Sequence, residues 1–335
     1  MRTGTLHIEG GTLETAWWGP APSEAPTLVL LHEGLGSVSL WRDIPSRLAA
    51  ATNCGVFAYS RFGYGNSDTT PLPRPMTYLQ DEARNILPQV LQAAGIEQAV
   101  LIGHSDGGSI AAVYAGSLHT RSVALTSWPK TLASSQRVSP PNTPASSQYV
   151  SPPNTPASGQ YVSPLNTPVS IQHASWPGLA RPPTTSSEPA PTQPILLGLI
   201  TIAAHFIVED LNIVSIREIK AEYETGKLRE RLTRYHRDVD TAFRGWNDAW
   251  LDPRFQHFDI TAYLPQIQVP ILALQGADDP YGSDVQLRVM AENVQVPITT
   301  QLIPNAKHAP HLEATDATLA AITTFIAALP QGPRH

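Results

Sequence analysis

The chain has one cysteine, Cys54, in 335 residues. That excludes a disulfide framework and a multi-cysteine zinc site. Cys54 heads the apolar run Gly55-Val56-Phe57-Ala58-Tyr59 and reads as a buried, inert thiol. Long runs of like charge are absent and the net charge is −6, a balance that suits neither nucleic acid nor an anionic membrane surface. The most apolar stretch, residues 195–208, is short for a bilayer span and contains Thr201 and His205. The first eight residues lack the apolar core of a signal peptide. These absences predict a soluble cytoplasmic protein whose partner is a small molecule. The length permits one to three domains.

What is present alternates. Residues 12–18, 27–32, 55–59 and 99–103 read as strands, and residues 39–51, 77–94 and 108–115 as helices. The pattern resumes late in the chain, with strands at 195–204, 269–275 and 298–303 and helices at 283–293 and 315–329. Such alternation predicts a mostly parallel, doubly wound sheet with helices on both faces.

Two segments interrupt it. Residues 133–194 carry only three charged residues and contain three tandem copies of a twelve-residue unit, beginning at Gln136, Gln148 and Gln160. This Pro/Ser/Thr-rich segment has too little apolar content for a core, so disordered or polyproline-like backbone is expected. The first two copies contain a P-x-x-P pattern, such as Pro141 to Pro144, that could be an adaptor ligand, although an inert loop expansion is the simpler reading. Residues 207–264 are rich in charge and tryptophan. Residues 215–224 and 227–245 read as amphipathic helices, followed by Trp246 and Trp250, and the whole reads as a helical cap over one end of the sheet. The expected organisation is a core first half (1–132), the insertion (133–194), a core strand (195–206), the cap (207–264) and a core second half (265–335). The strand at 195–204 should follow the helix at 108–115 and start from the far edge of the sheet. The insertion would then hang off the face away from the site. In the alternative, residues 121–126 form that strand and the repeat enters the cap.

Chemistry concentrates at Gly103-His104-Ser105-Asp106-Gly107, which follows the apolar run Gln98-Ala99-Val100-Leu101-Ile102 and opens into a helix. A G-x-S-x-G between strand and helix is the context of a nucleophile elbow, where a sharp turn lifts the serine hydroxyl clear of the sheet. A serine needs a base, and the base an orienting carboxylate. After the strand at 269–275 comes Gly276-Ala277-Asp278-Asp279-Pro280, and after the strand at 298–303 comes Lys307-His308-Ala309-Pro310-His311. Serine, acid and histidine thus occur in the order of a doubly wound hydrolase, each at the carboxyl end of a strand, where open sheets bind ligands.

With these pieces the chain resembles the α/β-hydrolase superfamily. Also matching are Leu30-Leu31-His32-Glu33-Gly34-Leu35-Gly36-Ser37 and Tyr59-Ser60-Arg61-Phe62-Gly63-Tyr64-Gly65-Asn66-Ser67. The resemblance implies the α/β-hydrolase fold, with Ser105 as nucleophile, His308 as base and Asp279 rather than Asp278 as the orienting acid. His311 becomes a structural neighbour. The N–H of Asp106 is the first oxyanion donor and that of Gly34 or Leu35 the second. The family more often has His-Gly where this chain has His32-Glu33, so the choice between the two stays open. Hydrolysis of a small ester through an acyl-enzyme, with no metal or organic cofactor, is the implied reaction.

The segment Ser105-Asp106-Gly107-Gly108 is similar to the elbow of valacyclovir hydrolase-like enzymes, which act on amino acid esters. Asp106 then either attracts a substrate ammonium group or only caps its helix. His205, Glu209 and Asp210 are further candidates to face the pocket, Glu209 as a substrate contact. A carbon–carbon bond hydrolase and a catalytically slow binding protein are the alternatives on this fold. A dehalogenase would carry an aspartate at the position of Ser105.

Overall fold

The computed structural model describes residues 1–118 and 193–329. Side-chain alternation decides how its sheet is buried. In β3 (Thr27–Leu31), Leu28 and Leu30 enter one apolar core while Val29 and Leu31 enter the other. In β4 (Gly55–Tyr59), Val56 and Ala58 oppose Phe57 and Tyr59 in the same way. Every residue of both strands is buried, as parallel strands covered on two faces require. β5 (Gln98–His104), β6 (Ile195–Ile202), β7 (Ile271–Gly276) and β8 (Ile298–Ile303) extend this parallel set. β2 (Gly11–Trp18) pairs antiparallel with β4, and β1 (Arg2–Ile8) antiparallel with β2. The order across the eight-stranded sheet is β1-β2-β4-β3-β5-β6-β7-β8. The mostly parallel, doubly wound sheet is therefore as expected. β1 was not among the expected strands. It is a largely exposed edge strand, so its sequence carries no buried alternation to read.

Helices cover both faces. α1 (Ile44–Thr52) and α10 (Thr315–Ala328) supply Ile44, Leu48, Leu319, Ile322 and Phe325 to one core. On the other face lie α2 (Tyr78–Asp81), α3 (Leu87–Ala93), α4 (Asp106–Ser117) and α8 (Val285–Asn293). The helix expected at 39–51 starts at Ile44, with Pro45 in its first turn, and a separate 3-10 turn occupies Val38–Trp41. The run expected at 77–94 is helical throughout but widens into a π-turn at Glu82–Ile86. Pro88 follows that turn and has no N–H to return to the preceding turn, so an extra residue there relieves the conflict. Cys54 is buried and free, and burial pushes its thiol pKa up.

The alternative strand at 121–126 lies outside the described residues. β6 lies between β5 and β7. Its first residue, Ile195, pairs with Gln98 at the start of β5, the end of that strand far from Ser105. The repeat and its expected disorder lie outside the described residues. Residues 207–264 are helical, as expected, with α5 (Asp210–Glu224), α6 (Lys227–Leu232), α7 (Val239–Leu251) and two 3-10 turns. The expected helix at 227–245 splits because Asp238 starts a new one, accepting a hydrogen bond from the Thr241 N–H at 3.0 Å. Trp246 and Trp250 lie on α7 rather than after it. Among the described residues no helix is long and apolar enough to cross a membrane.

Candidate active site

Ser105 sits between β5 and α4 at φ 52° and ψ −120°, a backbone conformation that L-residues seldom adopt. The flanking glycines make that turn possible by closeness. A Cβ on Gly103 would stand 2.2 Å from the Gly107 carbonyl oxygen, and one on Gly107 would stand 2.0 Å from that of Leu31. Both obstacles are backbone, so neither can rotate away. Gly107→Ala is therefore expected to destabilise the fold by about 2 kcal/mol or more, the upper range of core overpacking, measured by urea denaturation. A smaller loss would mean that α4 can withdraw from β3.

The Ser105 hydroxyl lies 2.9 Å from His308 Nε2, and His308 Nδ1 lies 2.9 and 3.0 Å from the two Asp279 oxygens. The expected serine, histidine and aspartate thus meet although 203 residues separate the first two. The Asp279 carboxylate is shielded from solvent and also accepts from the Tyr281 N–H at 2.8 Å and the Gln275 side-chain amide at 2.6 Å. Burial alone would raise its pKa. The His308 hydrogen bond and charge and the Tyr281 N–H outweigh that and hold it below the usual carboxylate range. Asp278 is exposed and makes no such contact. His311, in α9 (Pro310–Glu313), is buried edge-on against His104, with ring centres 4.6 Å apart, and away from the hydroxyl line.

Two fixed loops complete the floor. Asp106 is the first residue of α4, so its N–H has no intrahelical acceptor. The loop after β3 is pinned from both sides by neutral histidines. His32 Nε2 accepts the Arg61 N–H at 3.0 Å, which leaves Nδ1 to donate to the Glu33 carbonyl at 2.7 Å. His236 Nδ1 accepts the Gly65 N–H, and its Nε2 donates to the Leu35 carbonyl at 3.0 Å. Burial, first, and Arg61, second, hold the His32 pKa well below the ordinary histidine value, and burial lowers that of His236. Gly34 and Leu35 both line the cleft beside Ser105.

The remaining lining comes from the helical segment and the late loops: His205, Asn212, Ile216, Trp246, Trp250 and Tyr281. The cleft encloses about 100 Å³. Trp246 packs directly on Gly34, where even a Cβ would come within 2.2 Å of the indole. The tryptophans of α7 therefore serve core and cleft together. His205 faces the cleft, as the sequence suggested, and burial takes its pKa down to about 3.

Two expectations fail. The Asp106 side chain neither reaches the cleft nor caps its helix. It is fully buried, accepts from Tyr78 Oη at 2.7 Å and Trp250 Nε1 at 3.3 Å, and stands 3.7 Å from the Arg61 guanidinium. Glu209 is also committed elsewhere. Its carboxylate caps α5 and accepts from Ser283 and from Gln286 Nε2, so it is no substrate contact. Asp210 starts α5 and is exposed. Glu33, Asn212, Ile216 and Tyr281 line the cleft without having been candidates in the sequence. For Glu33, the departure from the familiar His-Gly pattern was the available signal.

Curated relatives share part of this chain. A proline iminopeptidase of Lactobacillus delbrueckii subsp. lactis is 30% identical over 118 residues. Those residues are 35% of this chain, and the match spans only 40% of the relative's length. Among solved structures, the enol-lactonase from Burkholderia xenovorans LB400 superposes with a TM-score of 0.59 at 14% identity, covering 97% of this chain and 100% of that one. The Mycobacterium smegmatis proline iminopeptidase superposes with a TM-score of 0.58 at 14% identity, covering 97% and 98%. At such identities these two likenesses concern the fold alone. The model of the alpha/beta hydrolase family matches residues 28–321. With the sheet order, the strained serine and this match in hand, the chain belongs to the alpha/beta hydrolase family.

Proposed function

We propose that the protein is a serine hydrolase that cleaves small carboxylic esters through an acyl-enzyme. The observation that carries this reading is the hydrogen-bonded line from Ser105 Oγ through the His308 ring to Asp279, opening into a cleft. His308 Nε2 takes the hydroxyl proton as Ser105 Oγ attacks the ester carbonyl. Asp279 holds the imidazole by Nδ1–H and stabilises the imidazolium that forms. The developing oxyanion meets the Asp106 N–H and one N–H of the Gly34–Leu35 pair, donors that gain strength in a cleft with little water. His308 then returns the proton to the departing alkoxide. Water, activated by the same ring, attacks the acyl carbon and frees the acid. No step calls for a metal or an organic cofactor.

The cleft favours a compact acyl group. Leu35, Ile216, Trp246, Trp250 and Tyr281 offer apolar and aromatic surface around the attacking hydroxyl. A second reading, hydrolysis of an N-terminal peptide bond, draws support from the Lactobacillus iminopeptidases that share part of this chain, and the same line of residues would perform it. The amino-ester variant loses the residue that suggested it, because Asp106 is locked inside.

The test pairs a serine-directed fluorophosphonate with a substrate panel. Labelling at Ser105 and turnover of short-chain p-nitrophenyl esters at least tenfold faster than of L-prolyl p-nitroanilide support the esterase reading. The reverse ranking assigns a peptidase. Absence of both label and turnover would leave a binding protein on a hydrolase fold.

A further inference from the structure

His104 ends β5, immediately before Ser105, and its side chain is only 4% exposed. Its Nε2 lies 2.7 Å from the backbone carbonyl oxygen of His308. A carbonyl only accepts, so that nitrogen carries a proton. Its Nδ1 faces the Glu33 carboxylate, with Oε2 at 3.4 Å. A neutral ring already protonated on Nε2 would turn a bare lone pair toward that carboxylate. In a buried setting such a contact is repulsive, and a second ring proton converts it into an ion pair.

We propose that His104 is a standing imidazolium held by Glu33, and that the pair is a positioning device: His104 fixes the loop of the general base by donating to the carbonyl of His308. The inference rests on the assignment of His308 as base. It separates His104 from the other buried histidines. His32 and His236 each accept a backbone N–H, so both are neutral. Among the described residues His205 and His311 form no ion pair with a carboxylate, and burial lowers the pKa of each. The pKa of His104 is raised instead: burial works downward, but the nearby Glu33 carboxylate and the His308 carbonyl overcome it. Burial would raise the pKa of Glu33, yet the neighbouring His104 ring carries it far below the usual carboxylate range.

The groups that face His104 come from four loops: Glu33 after β3, His205 after β6, Asp279 after β7, and His308 and His311 after β8. Glu33 and Asp279 supply the negative charge that keeps an imidazolium tolerable there. The rings of His104 and His308 are 5.2 Å apart, so the base gains and releases its proton beside a fixed positive charge. Glu33 has a consequence for substrate choice too. It is 27% exposed and lines the cleft, but its charge is already matched by His104.

The first arm of the test is nitrogen-15 NMR of histidine-labelled protein at about pH 8, well above the ordinary histidine pKa of about 6.5. Both His104 nitrogens are expected to be protonated in the wild type. In Glu33→Gln only Nε2 remains protonated, with the glutamine amide donating to Nδ1. A wild-type His104 that is already neutral at that pH overturns the ion pair, whatever the protein catalyses. The second arm is kinetic. His104→Leu removes the donor and should lower kcat by about 10²-fold, the scale of a small misplacement of a catalytic group. KM and Ser105 phosphonate stoichiometry should be little changed. His104→Gln restores an N–H donor and should recover most of kcat, while the pH dependence of kcat/KM moves because the charge is gone. Equal kcat in His104→Leu and wild type overturns the positioning role.

Discussion

Ser105→Ala is expected to lower kcat by about 10⁴-fold or more while leaving the fold intact. The substitution removes one oxygen and leaves the elbow, the two loops and the cleft in place. His308 then has no proton to take, since its Nε2 faces Ser105 Oγ alone at 2.9 Å. The residual rate comes from substrate held against the backbone donors and attacked by water. A second substitution exposes the logic of the unit. His308→Ala in the Ser105→Ala background should cost almost nothing further, because a base without its nucleophile is idle. Kinetics with a p-nitrophenyl ester and a thermal melt suffice as measurements. A single variant within tenfold of wild type would falsify the assignment of Ser105. Additive losses in the double variant would mean that His308 works on water independently.

The path of the backbone explains why this line of residues was legible in the sequence. Ser105, Asp279 and His308 each follow a strand of the same parallel sheet, β5, β7 and β8. Once the alternation is read, all three must emerge at one edge. Gly103 and Gly107 are legible for a related reason, since their absent side chains answer to neighbouring backbone. Side-chain direction is a different matter. Asp106 is adjacent to Ser105, yet its partners Tyr78 and Trp250 lie 28 and 144 residues away, and only the folded packing aims it inward. Glu209 is the same case, with Ser283 and Gln286 at separations of 74 and 77 residues. The break between α6 and α7 was hidden because amphipathic spacing continues across it, while the Asp238 cap that makes it is a single residue. Glu33 was noticed only as a departure from a pattern. Its meaning depends on His104, which the sequence presents merely as the residue between Gly103 and Ser105.

The buried Asp106–Arg61 pair carries the second large effect. Asp106→Ala is expected to destabilise the fold by about 3–5 kcal/mol, the range for stranding one member of a buried ion pair. Arg61 is 1% exposed, and its Nη1 already lacks a hydrogen-bond partner among the described residues. Without the aspartate its charge loses its ion-pair partner and keeps only the longer-range pull of Glu82, and Tyr78 Oη loses its acceptor, while Trp250 Nε1 retains Tyr78 Oη at 3.0 Å. Urea denaturation gives the stability, and the midpoint should fall with little change in slope. Activity on neutral and α-amino esters should fall in the same proportion, because the carboxylate touches neither. Selective loss of amino-ester turnover at unchanged stability would return Asp106 to the cleft and overturn its assignment as a buried partner. The double replacement Arg61→Met with Asp106→Leu sharpens the point. Removing both charges should recover most of the lost stability, since apolar groups of similar size often replace a buried pair without penalty. Activity should stay low even so. Arg61 Nη2 also donates to the Glu33 carbonyl at 2.9 Å and so holds the loop that presents Gly34 and Leu35. Stability and turnover then separate in one variant: the ion pair belongs to the core, and the guanidinium's bond to the Glu33 carbonyl belongs to the loop of Gly34 and Leu35.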